Sequence, residues 1–266
     1  MSPSHDFLGK LAHWVDSLAV INSTSERWIG GRCFLLKRRR FGRGWIILLG
    51  NIFLRLSNSR IRMFSDSVAW QGWEMQSYEV LHGRACLSIL KDALLIEPLP
   101  GRSLKNYLES GALTKTMLQA AGREFKRCHA LLNGGWSHGD PHLDNVLYDE
   151  VTKRAYLIDI ETRHDSRLSA PECHADDLLV FLLDLLGRDS AACWLEHSRI
   201  FLESYADVEV LVALARRLIM PRGLELVLWK TRTNHLPTHI LRERIRLLNE
   251  QIRSVISPSA AAATNR

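Results

Sequence analysis

Residues Ser137–Glu161 read SHGDPHLDNVLYDEVTKRAYLIDIE, a loop followed by two short apolar segments that a polar turn separates. Asp140 comes directly after Gly139 in the loop, and Asn145 precedes the first apolar segment. The second segment ends at Asp159, fourteen residues after Asn145. Because two such runs on either side of a polar turn are typical of a β-hairpin, we expect Asn145 and Asp159 to lie at the same end of a strand pair.

The polar residues of this stretch indicate a particular chemistry. One carboxylate, Asp159, and one amide, Asn145, supply the oxygen ligands that suit a hard cation such as Mg²⁺, which also binds phosphates. A further carboxylate beside that metal, Asp140, can accept a proton from an attacking hydroxyl. Metal-bound phosphates and an oriented hydroxyl are what phosphoryl transfer requires. The stretch therefore predicts a phosphotransferase site.

The same residues resemble a known signature. His138–Asn145 (HGDPHLDN), followed by Ile158-Asp159, is similar to the H-G-D-x-H-x-x-N and I-D motifs of kinase-fold small-molecule phosphotransferases. These include the lipopolysaccharide core kinases for Kdo or heptose and the aminoglycoside and choline kinase relatives. The resemblance runs from about Arg32 to Asp184. It implies an α+β, bilobal protein-kinase-like fold with a small β-rich N-lobe and a larger, mainly helical C-lobe.

The resemblance also implies roles for individual residues in an enzyme that uses ATP and Mg²⁺. Asp140 and Asn145 would be catalytic. Asn145 and Asp159 would hold the metal, and Glu161 would add a second carboxylate there. A turn acid that pairs with Arg163 is the alternative interpretation of Glu161.

Two further parts of the family pattern concern the nucleotide. A lysine on a strand pairs with a glutamate on the following helix and holds the phosphates. Lys37 ends a predicted strand and Glu74 lies in a predicted helix, so the resemblance implies this pair, with Arg38 and Glu79 as rivals for the two roles. The hinge would be the segment IEPLPG. Its cofactor-binding residues would be Glu97 and Leu99.

The sequence departs from the family pattern in three places. It contains no G-x-G-x-x-G, and only Gly30-Gly31 is available for a phosphate-covering loop. Ile160-Glu161 follows the metal aspartate in place of Phe-Gly. Ala170-Pro171-Glu172 copies the A-P-E of protein kinases but lies only eleven residues after Asp159, which is too short for an activation segment. We therefore interpret that match as chance.

The remaining pattern predicts the organisation of the chain. We expect an N-lobe of strands with one nucleotide-binding helix at 1–98, a helical C-lobe with the catalytic loop at 99–256, and a disordered tail at 257–266. The specific expectations are strands at Arg32–Lys37 and Ala93–Leu99, helices at Ser65–Leu81 and Thr116–Leu132, and a helix cap at Ser103. Asp176 and Asp177 precede an apolar helix. We expect them to cap it, and we expect one of them to accept the backbone N–H groups of the catalytic loop.

Composition limits the classes of protein that remain. The chain has 266 residues, of which 46% are hydrophobic and 24% charged, an ordinary globular composition. No apolar run approaches the roughly 18 to 20 residues of a spanning helix, and the first residues do not follow the pattern of a secretory signal. The five cysteines are widely spread and form no C-x-x-C pair, which indicates neither a disulfide framework nor a zinc finger. We therefore expect a cytoplasmic protein.

The net charge of +6 is unevenly distributed. Between Arg27 and Arg62 there are ten basic residues and no acidic ones. This block, mixed with the apolar run Trp45–Leu54, resembles an insert of the lipopolysaccharide sugar kinases and would fit a peripheral contact with an anionic membrane at its inner face. A buried helix with solvated arginines is the alternative. No nucleic-acid-binding motif accompanies the block, and no nucleic-acid partner is expected.

The sequence thus predicts an ATP-dependent phosphotransferase that moves the γ-phosphate to a hydroxyl of a small-molecule or glycan acceptor, of the sugar or lipopolysaccharide-core type. The first alternative is a Ser/Thr protein kinase, which the short segment after Asp159 disfavours. The second is a catalytically dead pseudokinase that serves as a binding scaffold. The missing glycine loop favours the scaffold, and the retained Asp140, Asn145 and Asp159 oppose it.

Overall fold

The computed structural model describes residues 22–39, 44–90 and 92–263. These ranges form a mixed α+β structure with small antiparallel sheets, as the sequence predicts for the fold class. The strands are β1 (Asn22–Ile29), β2 (Arg32–Arg39), β3 (Ile61–Met63), β4 (Cys86–Leu90), β5 (Ala93–Ile96), β6 (Arg102–Ser103), β7 (Val146–Asp149), β8 (Arg154–Leu157) and β9 (Thr162–His164). The helices are α1 (Gly44–Leu56), α2 (Ser67–His82), α3 (Leu104–Glu109), α4 (Lys115–His129), α5 (Ala170–Arg188), α6 (Trp194–Tyr205), α7 (Val208–Arg217), α8 (Gly223–Arg232) and α9 (Thr238–Ala263).

Four strands of the N-terminal part form one antiparallel sheet in the order β1-β2-β5-β4. A two-residue turn, Gly30-Gly31, joins β1 to β2 with φ angles of 57° and 77°. A tight hairpin turn with positive φ at both central residues suits glycine, which adopts that conformation without steric cost. The resulting register pairs Lys37 with Thr24 on one side and with Leu94 on the other. Lys37 therefore lies on an interior strand of the sheet.

Helix α2 packs against this sheet. Asp66 is its N-cap, and the Asp66 side chain accepts a hydrogen bond from the backbone N–H three residues later at 2.7 Å. Trp70 and Tyr78 on α2 form a buried hydrophobic cluster with Leu94 and Ile96 of β5. The predicted helix is therefore confirmed, and its buried face is the one that carries Glu74 between the two aromatic residues.

The apolar run within the basic block forms helix α1, which has one buried side and one exposed side. Its inner side is buried and includes Ile46, Ile47 and Leu54. Its outer side exposes large apolar residues, among them Trp45 at 63% and Leu56 at 68%. Within the described ranges, no helix is both long enough and apolar enough to cross a membrane.

The C-terminal part has a larger hydrophobic core, built mainly from helices. Phe125 of α4 lies at its centre, with ring centroids 5.3 Å from Phe181 of α5 and 5.2 Å from Phe201 of α6. Phe125 meets both rings edge to face, and Phe181 and Phe201 are stacked, so three buried aromatic side chains stabilise the packing of these helices. The β7–β8 hairpin packs on the same core through residues such as Val146 and Leu157.

Several element boundaries differ from the predicted ones. β2 continues to Arg39, and β5 ends at Ile96 because Pro98, two residues later, has no N–H for a strand ladder. α4 ends at His129 rather than at Leu132, which has left-handed backbone angles.

Two other predicted features lie near helix ends. Ser103 caps α3 as predicted, accepting the Asn106 N–H at 3.2 Å. Helix α9 continues to Ala263, so the tail predicted to be disordered from residue 257 is helical as far as that residue.

Candidate active site

The β7–β8 hairpin brings two of the predicted site residues together. Val146 pairs with Leu157 across the hairpin, and the Ile158 N–H donates to the Asn145 carbonyl oxygen at 3.0 Å. Asn145 and Asp159 therefore lie at the same end of the strand pair, as predicted. Asp159 has a left-handed φ of 65°, which is uncommon outside glycine and costs about 1–3 kcal/mol. Such strain at a strand end indicates a functional constraint on this carboxylate.

The loop before the hairpin is anchored by Asp177 of α5. The Asp177 carboxylate accepts the N–H groups of His138 and Gly139, each at 2.7 Å. Burial opposes ionisation of Asp177, but the hydrogen bond from His129 and the nearby imidazoles hold its pKa well below the usual range. The prediction that one of the two aspartates binds the loop N–H groups is confirmed for Asp177.

The predicted capping role of Asp176 and Asp177 is wrong. Helix α5 begins at Ala170 and its N-cap is Ser169, whose N–H donates to the Glu172 carboxylate at 3.0 Å. Proline in the first turn favours this earlier start. Both aspartates therefore lie inside the helix, where they are buried against the catalytic loop.

His138 also holds the loop through hydrogen bonds. One ring nitrogen lies 2.8 Å from the Ile158 carbonyl oxygen, and the other accepts the Asp140 N–H at 3.3 Å. Burial lowers the pKa of His138. A neutral, fully buried imidazole with these partners connects the loop to the end of β8. Ser137 has a comparable structural contact, its hydroxyl lying 2.8 Å from a ring nitrogen of His164.

Gly139 is the residue at which the loop turns. Its φ is 91°, and a Cβ atom there would lie 2.4 Å from the Thr162 hydroxyl oxygen. That hydroxyl donates to the His138 carbonyl oxygen at 3.1 Å, so β9 and the loop are in direct contact. Only glycine fits this position, because a side chain would meet both an unfavourable φ and a filled space.

Replacing Gly139 by alanine is therefore expected to lower the free energy of unfolding by about 1–3 kcal/mol, the usual cost of overpacking. Denaturant unfolding measures this change. Gly111→Ala is the matched control, since Gly111 has a similar φ of 69° but open space around its Cβ position. Equal losses in the two variants would show that contact with Thr162 does not constrain the loop.

Lys37 and Glu74 form the predicted pair. The Lys37 ammonium lies 2.6 Å from a Glu74 carboxylate oxygen, and also 2.5 Å from Asp159 and 2.7 Å from Glu161. Lys37 is 5% exposed and Glu74 is 2% exposed. One buried ammonium thus joins the sheet, the α2 helix and the end of the β7–β8 hairpin.

The rival residues lie elsewhere. Arg38 and Glu79 are both exposed. Glu161 does not pair with Arg163, whose guanidinium lies over the Phe64 ring at 5.1 Å. Glu161 instead accepts a hydrogen bond from the Asn22 side chain in addition to its contact with Lys37. Of the two interpretations of Glu161, the pairing with Arg163 is therefore wrong.

The electrostatics of this cluster follow from three carboxylates around one ammonium. Burial disfavours the charged form of Lys37, but the carboxylates outweigh it and hold the Lys37 pKa well above the usual value. At Asp159, burial opposes ionisation of the carboxyl group. The charge of Lys37 outweighs this effect and holds the Asp159 pKa below the usual range. Burial and the charge of Asp159 raise the pKa of Glu161 to about 8. The cluster therefore has more acidic groups than Lys37 can satisfy.

This excess of acidic oxygens fits a divalent cation. Asn145, Asp159 and Glu161 offer only oxygen donors, the kind that Mg²⁺ prefers. Among the described residues, no group of three or more His, Cys, Asp or Glu side chains is arranged as a metal site. The donors that would fit the cation are two carboxylates and one amide. They would leave coordination positions for water and phosphate oxygens, as is usual for Mg²⁺.

The predicted hinge residues differ in their surroundings. The Glu97 carboxylate pairs with Arg32 at 3.0 Å, the Glu97 N–H donates to the Ala85 carbonyl oxygen at 3.0 Å, and the Glu97 carbonyl accepts the Tyr78 hydroxyl. Leu99 packs against the small hydrophobic cluster of the sheet. The polar groups of Glu97 therefore already have protein partners, whereas Leu99 contributes an apolar side chain.

Next to these residues lies a cavity of about 420 Å³. Its polar wall includes Asp140, Asn145, Asp159 and Glu161. Its apolar wall comes from helix α1 and from β3. The remaining lining residues include three arginines: Arg39, Arg188 and Arg232.

Arg232 is a site residue that sequence reasoning missed. It ends helix α8, and its guanidinium lies 3.3 Å from an Asp140 carboxylate oxygen. The Asn145 side chain donates to the Asp140 carbonyl oxygen at 3.0 Å, so Asp140 is held from two directions. No local pattern around Arg232 indicates this contact, which joins residues 92 positions apart.

Comparison with known proteins adds no identification at this point. Neither a family model nor a curated protein sequence matches the chain.

Proposed function

We propose that this protein is an ATP- and Mg²⁺-dependent phosphotransferase with a bilobal protein-kinase-like fold. The observation that carries the proposal is the Lys37 ammonium, which bridges Glu74 and Asp159 beside the Asp140 and Asn145 loop. Two separate hydrophobic clusters, a small one at the sheet and a large one among the helices, support the two-lobed description. The proposed acceptor is a hydroxyl of a sugar or of a lipopolysaccharide-core-type glycan.

In this proposal each residue has one task. Mg²⁺-bound ATP supplies the phosphoryl group, with Asn145, Asp159 and Glu161 as the protein ligands of the metal. Lys37, oriented by Glu74, holds phosphate oxygens. Asp140 accepts the proton of the acceptor hydroxyl as the acceptor oxygen forms its bond to the γ-phosphorus and the bond to the β-phosphate oxygen breaks.

The proposal requires a local rearrangement at Lys37. Three carboxylates lie within 2.7 Å of its ammonium, so the phosphates must take the place of at least one of them. Glu74 is the natural partner to remain, because it is buried and lies on α2. Asp159 and Glu161 would then turn from the ammonium to the metal. The positive charge of the metal would replace that of Lys37 as the partner of the two carboxylates.

The cavity supports a small acceptor over a protein substrate. A volume of about 420 Å³, with α1 along one side, suits a small molecule or one residue of a glycan. The contacts among Lys37, Glu74 and Asp159 support a phosphate site and disfavour the pseudokinase alternative.

The outer side of α1 supports the proposed contact with an anionic membrane. One exposed basic residue, Arg55, lies in the last turn of the same helix, and Arg38 is exposed on β2. Arg39 was part of the predicted contact, but it is buried and does not reach that surface. Arg40 and Arg43 lie outside the described residues. We place the protein in the cytoplasm, with α1 lying along the inner face of the membrane.

The direct test of the proposed function is ATP consumption by the purified protein with Mg²⁺ and a panel of acceptors. The panel should contain simple sugars, lipid-linked glycans, aminoglycosides and a generic protein substrate. Metal-dependent consumption with a sugar or glycan is expected. Consumption with the protein substrate alone would favour a protein kinase, and nucleotide binding without consumption would favour the scaffold.

Arg232 gives a test of how Asp140 is oriented. Arg232→Met is expected to lower kcat by about ten- to hundredfold, the range that follows from misplacing a reacting group. Arg232→Lys should recover part of the loss, since it keeps the charge. The KM for ATP should change little, because Arg232 contacts the acceptor base. Lys230→Met, on the same helix but outside the cavity, is the control. A change in ATP affinity with kcat intact would contradict this role.

A further inference from the structure

Arg39 has a position that the proposed reaction does not explain. It lies on β2 two residues after Lys37 and therefore on the same face of the strand. It is 8% exposed, and its guanidinium lies over the Trp70 ring at 4.7 Å from the centroid. Its backbone N–H donates to the Asp92 carbonyl oxygen at 2.8 Å, which fixes the end of the strand. The side chain lines the cavity that contains Asp140.

Two atoms of the Arg39 guanidinium, Nε and Nη1, are buried and form no hydrogen bond within the described part of the chain. The carboxylates of Glu161 and Asp92 act on this guanidinium through space only. The other cavity arginines have carboxylate partners, Arg188 with Asp184 at 2.5 Å and Arg232 with Asp140 at 3.3 Å. Burying a cation without hydrogen-bond acceptors costs free energy. Such a group therefore usually has a partner in the functional state of the protein.

The surroundings indicate where that partner would come from. The cavity wall contributed by α1 and β3 is apolar, with Ile46, Ile47 and Ile61 among its residues, and offers no side-chain acceptor to Arg39. The predicted metal ligands Asn145, Asp159 and Glu161 line this cavity, whereas the predicted nucleotide contacts Lys37, Glu97 and Leu99 do not. A molecule that places its hydroxyl at Asp140 would share the cavity with Arg39.

We propose that Arg39 binds an anionic group of the acceptor, a carboxylate or a phosphate, and so determines the specificity of the cavity. The planar guanidinium matches both groups through paired N–H donors. The apolar wall of α1 would contact the uncharged part of the same molecule. This inference rests on the proposed function, since it takes the cavity to be the acceptor site.

The first experiment measures anion binding without nucleotide or acceptor. Thermal unfolding is followed with inorganic phosphate or acetate against chloride at equal ionic strength. We expect stabilisation of the wild type and of Arg38→Met, whose side chain is exposed on the opposite face of β2. We expect at least tenfold weaker anion binding in Arg39→Met and intermediate binding in Arg39→Lys. The melting temperatures in chloride show whether the variants fold.

The second experiment compares acceptors that differ only in charge. Glucose, glucuronate and glucose 6-phosphate are tested as acceptors for the wild type and for the Arg39 and Arg38 variants. We expect Arg39→Met to raise KM for the charged acceptors by ten- to hundredfold and to leave KM for ATP within twofold. The better of the two charged acceptors distinguishes a carboxylate from a phosphate.

The outcomes separate this inference from the proposed function. Anion binding that depends on Arg39, without turnover of any acceptor, would support the anion site and count against the phosphotransferase. Turnover of the charged acceptors with a KM that Arg39→Met does not change would support the phosphotransferase and overturn the anion site. Equal anion binding by Arg39→Met and the wild type, no anion binding by the wild type, or a raised KM for ATP alone would also overturn it.

Discussion

Replacing Asp140 by asparagine is expected to reduce turnover by about 10²- to 10⁴-fold, the range for loss of a positioned acid or base. ATP binding should remain close to that of the wild type, because the Asp140 side chain contacts Arg232 in the acceptor cavity and none of the residues around Lys37. Single-turnover kinetics and calorimetry with ATP measure the two effects separately.

Asp144→Asn is the matched control for this experiment. Asp144 lies in the same loop, but its carboxylate pairs with Lys105 at 3.1 Å and does not line the cavity. The control should retain normal turnover. If Asp140→Asn also turns over at nearly the wild-type rate, Asp140 is only a turn residue and the proposed mechanism is wrong.

Replacing Asp159 by alanine is expected to remove the effect of Mg²⁺ on ATP binding. With Mg²⁺ present, ATP affinity should fall by at least about tenfold, because one of two carboxylate ligands is lost. Without Mg²⁺, affinity should stay the same or rise, since a negative charge that competes with the phosphates for Lys37 has gone. Calorimetry with and without the metal distinguishes the two effects.

Glu79→Ala serves as the control for Asp159→Ala, because Glu79 is an exposed carboxylate on the α2 helix. It should bind ATP as the wild type does under both conditions. Equal ATP affinity of Asp159→Ala and the wild type in Mg²⁺ would remove Asp159 from the proposed metal site.

The parts of the site that could be predicted depend on local sequence. Asn145 and Asp159 are joined by a short hairpin, so spacing alone places them together. Lys37 and Glu74 could be paired because the resemblance names a strand lysine and a helix glutamate. In each case a single motif, or a single family pattern, specifies which residues lie close together.

The parts that could not be predicted depend on distant packing. Arg232 reaches Asp140 only because α8 ends beside the catalytic loop, and nothing in the sequence around Arg232 differs from a solvated helix end. Arg39 belongs to a run of basic residues that suggests a surface, yet alternation along β2 buries it while Arg38 remains exposed. The helix start at Ala170 depends on the capping box of Ser169 and Glu172, whereas two acidic residues ahead of an apolar run predict a start near Asp176.

The pairing of β3 with β9 fixes the position of helix α1. Ile61 pairs with His164 and Met63 with Thr162, and the Asn51 side chain of α1 exchanges two hydrogen bonds of 2.9 Å with the Met63 backbone. Helix α1 is therefore fastened to the segment that follows Asp159, although in sequence it lies between β2 and β4 of the four-stranded sheet. Under the proposed function, an outward movement of the sheet would carry Lys37 with it, and the apolar wall of the cavity would stay beside Asp140.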